Sequence, residues 1–144
     1  MLPKWHVLFG FIFSYIIYWF TSINIFEAIL IFLSSVLIDF DHYLWIAKRK
    51  KYFNLKKAYF WHKNLPKKHK PIMHIFHTIE FIIFIGILSF YSSFFFFILI
   101  GMVFHSILDI IEMFYSEKMG CREFSLTRYL ILEKANPRKY FKLI

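Results

Sequence analysis

The sequence predicts an all-α integral membrane protein: a four-helix bundle with a basic interfacial loop and a C-terminal tail. Three observations predict it. Hydrophobic residues make up 59% of the 144 positions, and Phe alone occurs 21 times, against about 45–50% apolar residues in a soluble domain. The apolar residues gather into four runs, near 8–20, 23–38, 79–91 and 94–113. Lys and Arg are confined to Lys4, to 48–70 and to the tail from Lys118. The length suits one domain, 1–144.

Each span follows from its run and flanks. The first, about 5–21, starts at Trp5. The stretch after it, "YWFTSINIFEA", is bulky and offers no small-residue cleavage site, so the segment reads as a retained helix rather than a signal peptide. The second, about 23–46, reaches the roughly 20 residues that a crossing needs only by including Asp39, Asp41 and His42. The third, about 72–91, does so only by including His74 and His77. The fourth covers about 94–115. The connections at 21–24 and 91–93 carry no Lys or Arg. Four spans therefore place all three basic regions on one face, which the positive-inside rule makes cytoplasmic, with both termini inside.

The loop 47–71 contains "KRKKYFNLKKAYFWHKNLPKKHKP", lysines interleaved with aromatics. That composition suits anionic lipid headgroups, and equally a solvated cytoplasmic loop with no specific partner. Tethering to the membrane surface argues against nucleic acid as its partner. Cys121 is the one cysteine, so neither an intramolecular disulfide nor a cysteine zinc site can form. The tail 116–144 mixes apolar and basic residues, as an interfacial segment or short strand over a site entrance would.

Ionisable residues inside an apolar run are costly unless partnered. Here they share a depth. Asp39, Asp41 and His42 close the second span, His74, His77 and Glu80 open the third, and His105, Asp109 and Glu112 close the fourth. His6 stands at the inner edge of the first. At about 100° per residue, His105, Asp109 and Glu112 fall within an arc of about 60°, with Gly101 on the same side. An i,i+4 pair such as His105 and Asp109 is also satisfied by one bond within its helix. Convergence of depth, face and residue type over three spans favours a shared site instead.

The set is imidazole and carboxylate, almost without Lys or Arg at that depth, so a divalent cation is the expected counter-charge. The metal ligands expected are Asp39, Asp41, His42, His74, His77, His105 and Asp109. These donors suit Zn first, then Mn, Fe or Mg. Their number allows one ion or two, and two-metal sites commonly hydrolyse phosphoesters. Glu80 and Glu112 are the candidate general bases, near the metal but not on it.

"SSVLIDFDH", "HKPIMHIFHTIEF" and "GMVFHSILD", taken in order, resemble the membrane-bound metal-dependent hydrolases, the family of the LexA-regulated putative inner-membrane hydrolase. The resemblance covers about residues 1–113. It implies a zinc-like metal and hydrolysis, with Asp39, Asp41, His42, His105 and Asp109 matching the family blocks. In the middle block either His69 and His74 or His74 and His77 form the matching pair. Ile38 stands where the family often has Pro. The expected activity is hydrolysis of an ester or phosphoester in a lipid or lipid-linked substrate at the cytoplasmic leaflet. Two other functions use the same residues: metal handling or transport, for which a homo-oligomer could supply a path, and a non-catalytic membrane adaptor.

Overall fold

The computed structural model describes residues 3–50, 53–64 and 71–135. It is mostly helical, as an all-α reading requires. Helix α1, Pro3–Phe20, begins with Pro at its first position, where the missing N–H costs nothing. Asn24 then caps α2, Ile25–Leu37. Its Oδ1 accepts from the Glu27 amide at 3.0 Å, and its own amide donates to Glu27 Oε2 at 2.7 Å. This reciprocal box ends the first connection and starts the second span in two residues' space.

The second span bends where its polar residues begin. One turn at Ile38 and Asp39 separates α2 from α3, Phe40–Lys50. Part of the expected loop is helical: α4, Leu55–Lys63, packs on α3 through Trp45 and Trp61, with ring centroids 5.8 Å apart.

The third span departs from expectation. Residues 72–78 are not helix. Ile72–Met73 forms strand β1, a 3-10 turn covers Ile75–His77, and α5 runs only from Ile79 to Ser89. Pro71 disfavours helix at its junction, and Thr78, extended at φ −80°, ψ 148°, caps α5 by accepting from the Phe81 amide. Helix α6, Ser93–Tyr115, is an apolar helix of 23 residues. Beyond it the tail forms strand β2, Arg122–Glu123, and α7, Leu126–Ala135. Strands β1 and β2 pair in parallel, Ile72 beside Arg122 and Met73 beside Glu123.

Helix α2 lies between α1 and α6, and α5 packs on α6. Small residues set the spacing. A Cβ on Gly101 would collide with Ser34 Oγ and the Ile31 carbonyl and lie 3.0 Å from the Ser35 amide nitrogen; one on Gly10 would meet Ser35 Oγ. Two backbones therefore approach α2 more closely than any larger residue allows. Ile38, Ile85 and Met102 form a small apolar core between α5 and α6.

Most of the apolar surface points outward. Ile25–Lys48 and Ser93–Tyr115 are long and apolar enough to cross a membrane, yet only 28% and 22% of their apolar windows are buried. Helix α1 likewise presents Phe11, Trp19 and Phe20 to its surroundings. A soluble core helix would be enclosed by its own fold.

Candidate metal centre

The seam around Ser35 positions the first candidate ligand, His105. Ser35 lies in the last turn of α2, where helix carbonyls lack an amide partner. Its carbonyl accepts from His105 Nδ1 at 2.7 Å. The close approach at Gly101, one turn before His105, makes this contact reachable. Gly101, His105 and Asp109 succeed one another at intervals of four along α6, all buried.

Elements outside α6 bring the rest. The bend between α2 and α3 turns Asp39 inward: its Oδ1 is 3.4 Å from His105 Nε2 and 3.6 Å from His77 Nε2. Asp41 holds the 3-10 turn, its Oδ2 accepting from the Phe76 amide at 2.9 Å and from His77 Nδ1 at 3.1 Å. His42 Nδ1 donates to Asp41 Oδ1 at 2.9 Å, and His74 stacks on His42 with centroids 3.6 Å apart. All seven expected ligands thus meet in one buried region. His69 lies outside the described residues, and the pair that enters is His74 and His77. The non-helical 72–78 segment achieves this, because an extended residue followed by a tight turn directs both rings the same way.

The hydrogen bonds decide the tautomers. A carbonyl accepts only, so His105 carries its proton on Nδ1; the Asp41 carboxylate does the same for His77. In neutral rings both Nε2 atoms then carry lone pairs, and they lie 3.1 Å apart. Asp109 Oδ2 lies 3.4 Å from one and 3.7 Å from the other. This is a convergence of acceptors. Only a shared proton or a cation makes it favourable. Backing of Nδ1 by an oxygen while Nε2 points inward is also how metal-bound imidazoles are oriented.

Two members were not expected as part of the site. His6 is fully buried, stacked on His105 at 4.0 Å. Its Nε2 is 3.2 Å from Asp109 Oδ1 and 3.7 Å from Asp39 Oδ2, but the angles make no hydrogen bond, and Nδ1 has none among the described residues. Leaving such a group unsatisfied costs about 1–3 kcal/mol, which a metal bond would remove. Its depth at the inner edge of the first span was the signal in the sequence. Arg122 is the second. Its Nη1 donates to Asp109 Oδ2 at 2.6 Å, and its Nη2 donates to His42 Nε2 at 3.3 Å. The expectation of almost no basic partner at this depth is therefore corrected. Arg122 arrives through the β1–β2 pairing, which no apolar run announces.

No known protein family, curated protein or solved structure matches the chain. The chemistry must be read from the donors. Among the described residues three groups have ligand atoms within 4.8 Å of one another: His6, Asp39, His105 and Asp109; Asp39, His42 and His77; Asp41, His42 and His74. The first offers two imidazoles and two carboxylates, enough donors for one ion. Asp39 and His42 are each shared by two groups, so adjacent sites overlap. Asp39, Asp41 and Asp109 against Arg122 leave two negative charges if every imidazole is neutral, which one divalent cation balances.

The two candidate bases do not join this cluster. Both oxygens of Glu80 are taken by the tail: Oε1 accepts from Ser125 Oγ at 2.7 Å and the Thr127 amide at 3.1 Å, Oε2 from the Leu126 amide at 3.0 Å. Glu80 caps α7, because α5 starts seven residues later than expected and turns its first residues toward the tail. Glu112, half-buried one turn beyond Asp109, belongs to none of the three groups.

Proposed function

We propose that this chain is a multi-pass membrane protein with four spans and both termini cytoplasmic, whose buried cluster holds one or two divalent cations, zinc by preference, to hydrolyse an ester or phosphoester of a lipid or lipid-linked substrate. The likeness of its three sequence blocks to the membrane-bound metal-dependent hydrolases belongs to the same proposal. One observation carries it: the Nε2 atoms of His77 and His105 meet beside two carboxylates, in a site that is buried and already oriented from behind. Outward apolar faces on α1, α2 and α6 support the membrane location, and the basic residues at one end of the spans support the orientation.

His6, Asp39, His105 and Asp109 would hold one ion, and one of the two overlapping groups, Asp39, His42 and His77 or Asp41, His42 and His74, an adjacent one, with His42 released from Asp41 or Arg122. A divalent ion there would acidify water and polarise the ester. The chain's own contribution is orientation: Ser35 and Asp41 fix the rings of His105 and His77, and the apolar bundle excludes bulk water.

Metal analysis of the purified protein beside Asp109→Ala tests this. The expected result is one to two equivalents in the wild type and loss in the variant, with release of phosphate or headgroup from a lipid phosphoester only by the former. A wild type without divalent metal at neutral pH would sink the reading. Metal-dependent ion flux through vesicles without ester cleavage would replace it by transport.

A further inference from the structure

Arg122 enters the cluster from the tail, and its position is fixed from several sides. Its backbone pairs with Ile72. Two residues on, the Phe124 carbonyl accepts from the Ile79 amide at 2.9 Å. Glu80 then ties down 125–127. The segment carrying Arg122 is thereby stapled to the segment carrying His74 and His77. The Arg122 side chain is 12% exposed. It carries five N–H donors, and the contacts to Asp109 and His42 use two.

Burying a cation is costly, and Asp109 is already flanked by His6 Nε2 at 3.2 Å and His105 Nε2 at 3.4 Å. A guanidinium held at the edge of such a cluster matches a tetrahedral anion, because its planar fork pairs with two oxygens at once. A neutral carboxylic ester would gain little from it in the ground state. The overlap of ligand groups through Asp39 and His42 also suits an in-line displacement at phosphorus.

We propose that Arg122, held over Asp109 and His42 by the β1–β2 pairing, binds a non-bridging oxygen of a phosphate ester, which makes phosphoesters the substrate class. This rests on the hydrolase reading above. In the reaction, the water oxygen bonds to phosphorus, the bond from phosphorus to the alcohol oxygen breaks, and the departing alcohol takes up the water's proton. Arg122 gains and loses no proton.

The test uses the full chain in lipid nanodiscs supplied with Zn²⁺. Wild type, Arg122→Lys and Arg122→Gln are titrated with inorganic phosphate and, separately, with phosphatidic acid in the nanodisc. The expected result is at least about tenfold weaker binding in Arg122→Gln and a smaller loss in Arg122→Lys, with equal zinc in all three. Dependence on Arg122 for inorganic phosphate assigns a soluble source, and dependence for phosphatidic acid alone a lipid source. Unchanged binding in Arg122→Gln with zinc intact overturns the proposal, as does a wild type that binds neither probe. Loss of zinc or of the fold in both variants also overturns it, making Arg122 structural. If only Arg122→Gln fails to fold, unchanged binding in Arg122→Lys overturns it and weakened binding supports it. Binding that depends on Arg122 in a wild type without zinc would remove the hydrolase reading and leave the phosphate site standing.

Discussion

The Nε2 atoms of His77 and His105 face each other across 3.1 Å, each with its proton held on the opposite ring nitrogen by Asp41 or by the Ser35 carbonyl. Two lone pairs at that distance repel, so a proton or a cation has to lie between them. Metal and fold stability are therefore coupled. Adding Zn²⁺ to chelator-treated protein should raise its melting temperature, the stabilisation reaching about 2.7 kcal/mol at a free metal concentration 100 times Kd. His77→Ala should retain the fold and bind metal about tenfold or more weakly. A melting temperature indifferent to metal in the wild type would count against the coupling.

The seam at Gly101 should matter as much as the ligands. A methyl there meets the Ile31 backbone carbonyl, which cannot rotate away, and Ser34 Oγ. Gly101→Ala should destabilise by about 1–3 kcal/mol, the usual cost of overpacking, and weaken metal binding by displacing the Ser35 carbonyl from His105. Gly10→Ala meets chiefly Ser35 Oγ, the end of a rotatable side chain, and should cost less. Denaturant titration in detergent with metal analysis checks both. Equal losses would mean the seam does not set the site.

Glu80 separates a tail cap from a catalytic base. Glu80→Ala removes the acceptors of the Leu126 and Thr127 amides and of Ser125 Oγ. Hydrogen exchange at those two amides should accelerate while metal content stays at the wild-type level. Unchanged exchange would show that the cap contributes little to α7.

Membrane orientation is testable directly. In a Cys121→Ser background, a cysteine at Ser22 should react with an impermeant thiol reagent from outside the cell. A cysteine at Lys57 should react only after permeabilisation. The opposite pattern would invert the topology and move the site to the other leaflet.

The fold and the site were legible in the sequence to different degrees. Apolar runs separated by uncharged connections marked α1, α2 and α6, because a helix in an apolar solvent must be continuously apolar and its ends must be polar. The Asn24–Glu27 capping box is readable because it is local. That the seven candidate ligands share one layer is readable from depth and residue type, since buried charge is too costly to be incidental. The segment 72–78 was misread as helix. Its apolar residues fit either form, and the parallel partner that makes it a strand lies fifty residues away.

The sequence by itself determined that the chain is helical and apolar, and that carboxylates and imidazoles share one layer, because periodicity, hydropathy and charge placement are properties of neighbouring residues. Only the tertiary structure decided that His6 and Arg122 join the cluster and that Glu80 leaves it for the tail. Those outcomes depend on contacts between residues 35 and 105, 72 and 122, and 80 and 125. Partners so far apart along the chain leave no trace in local pattern.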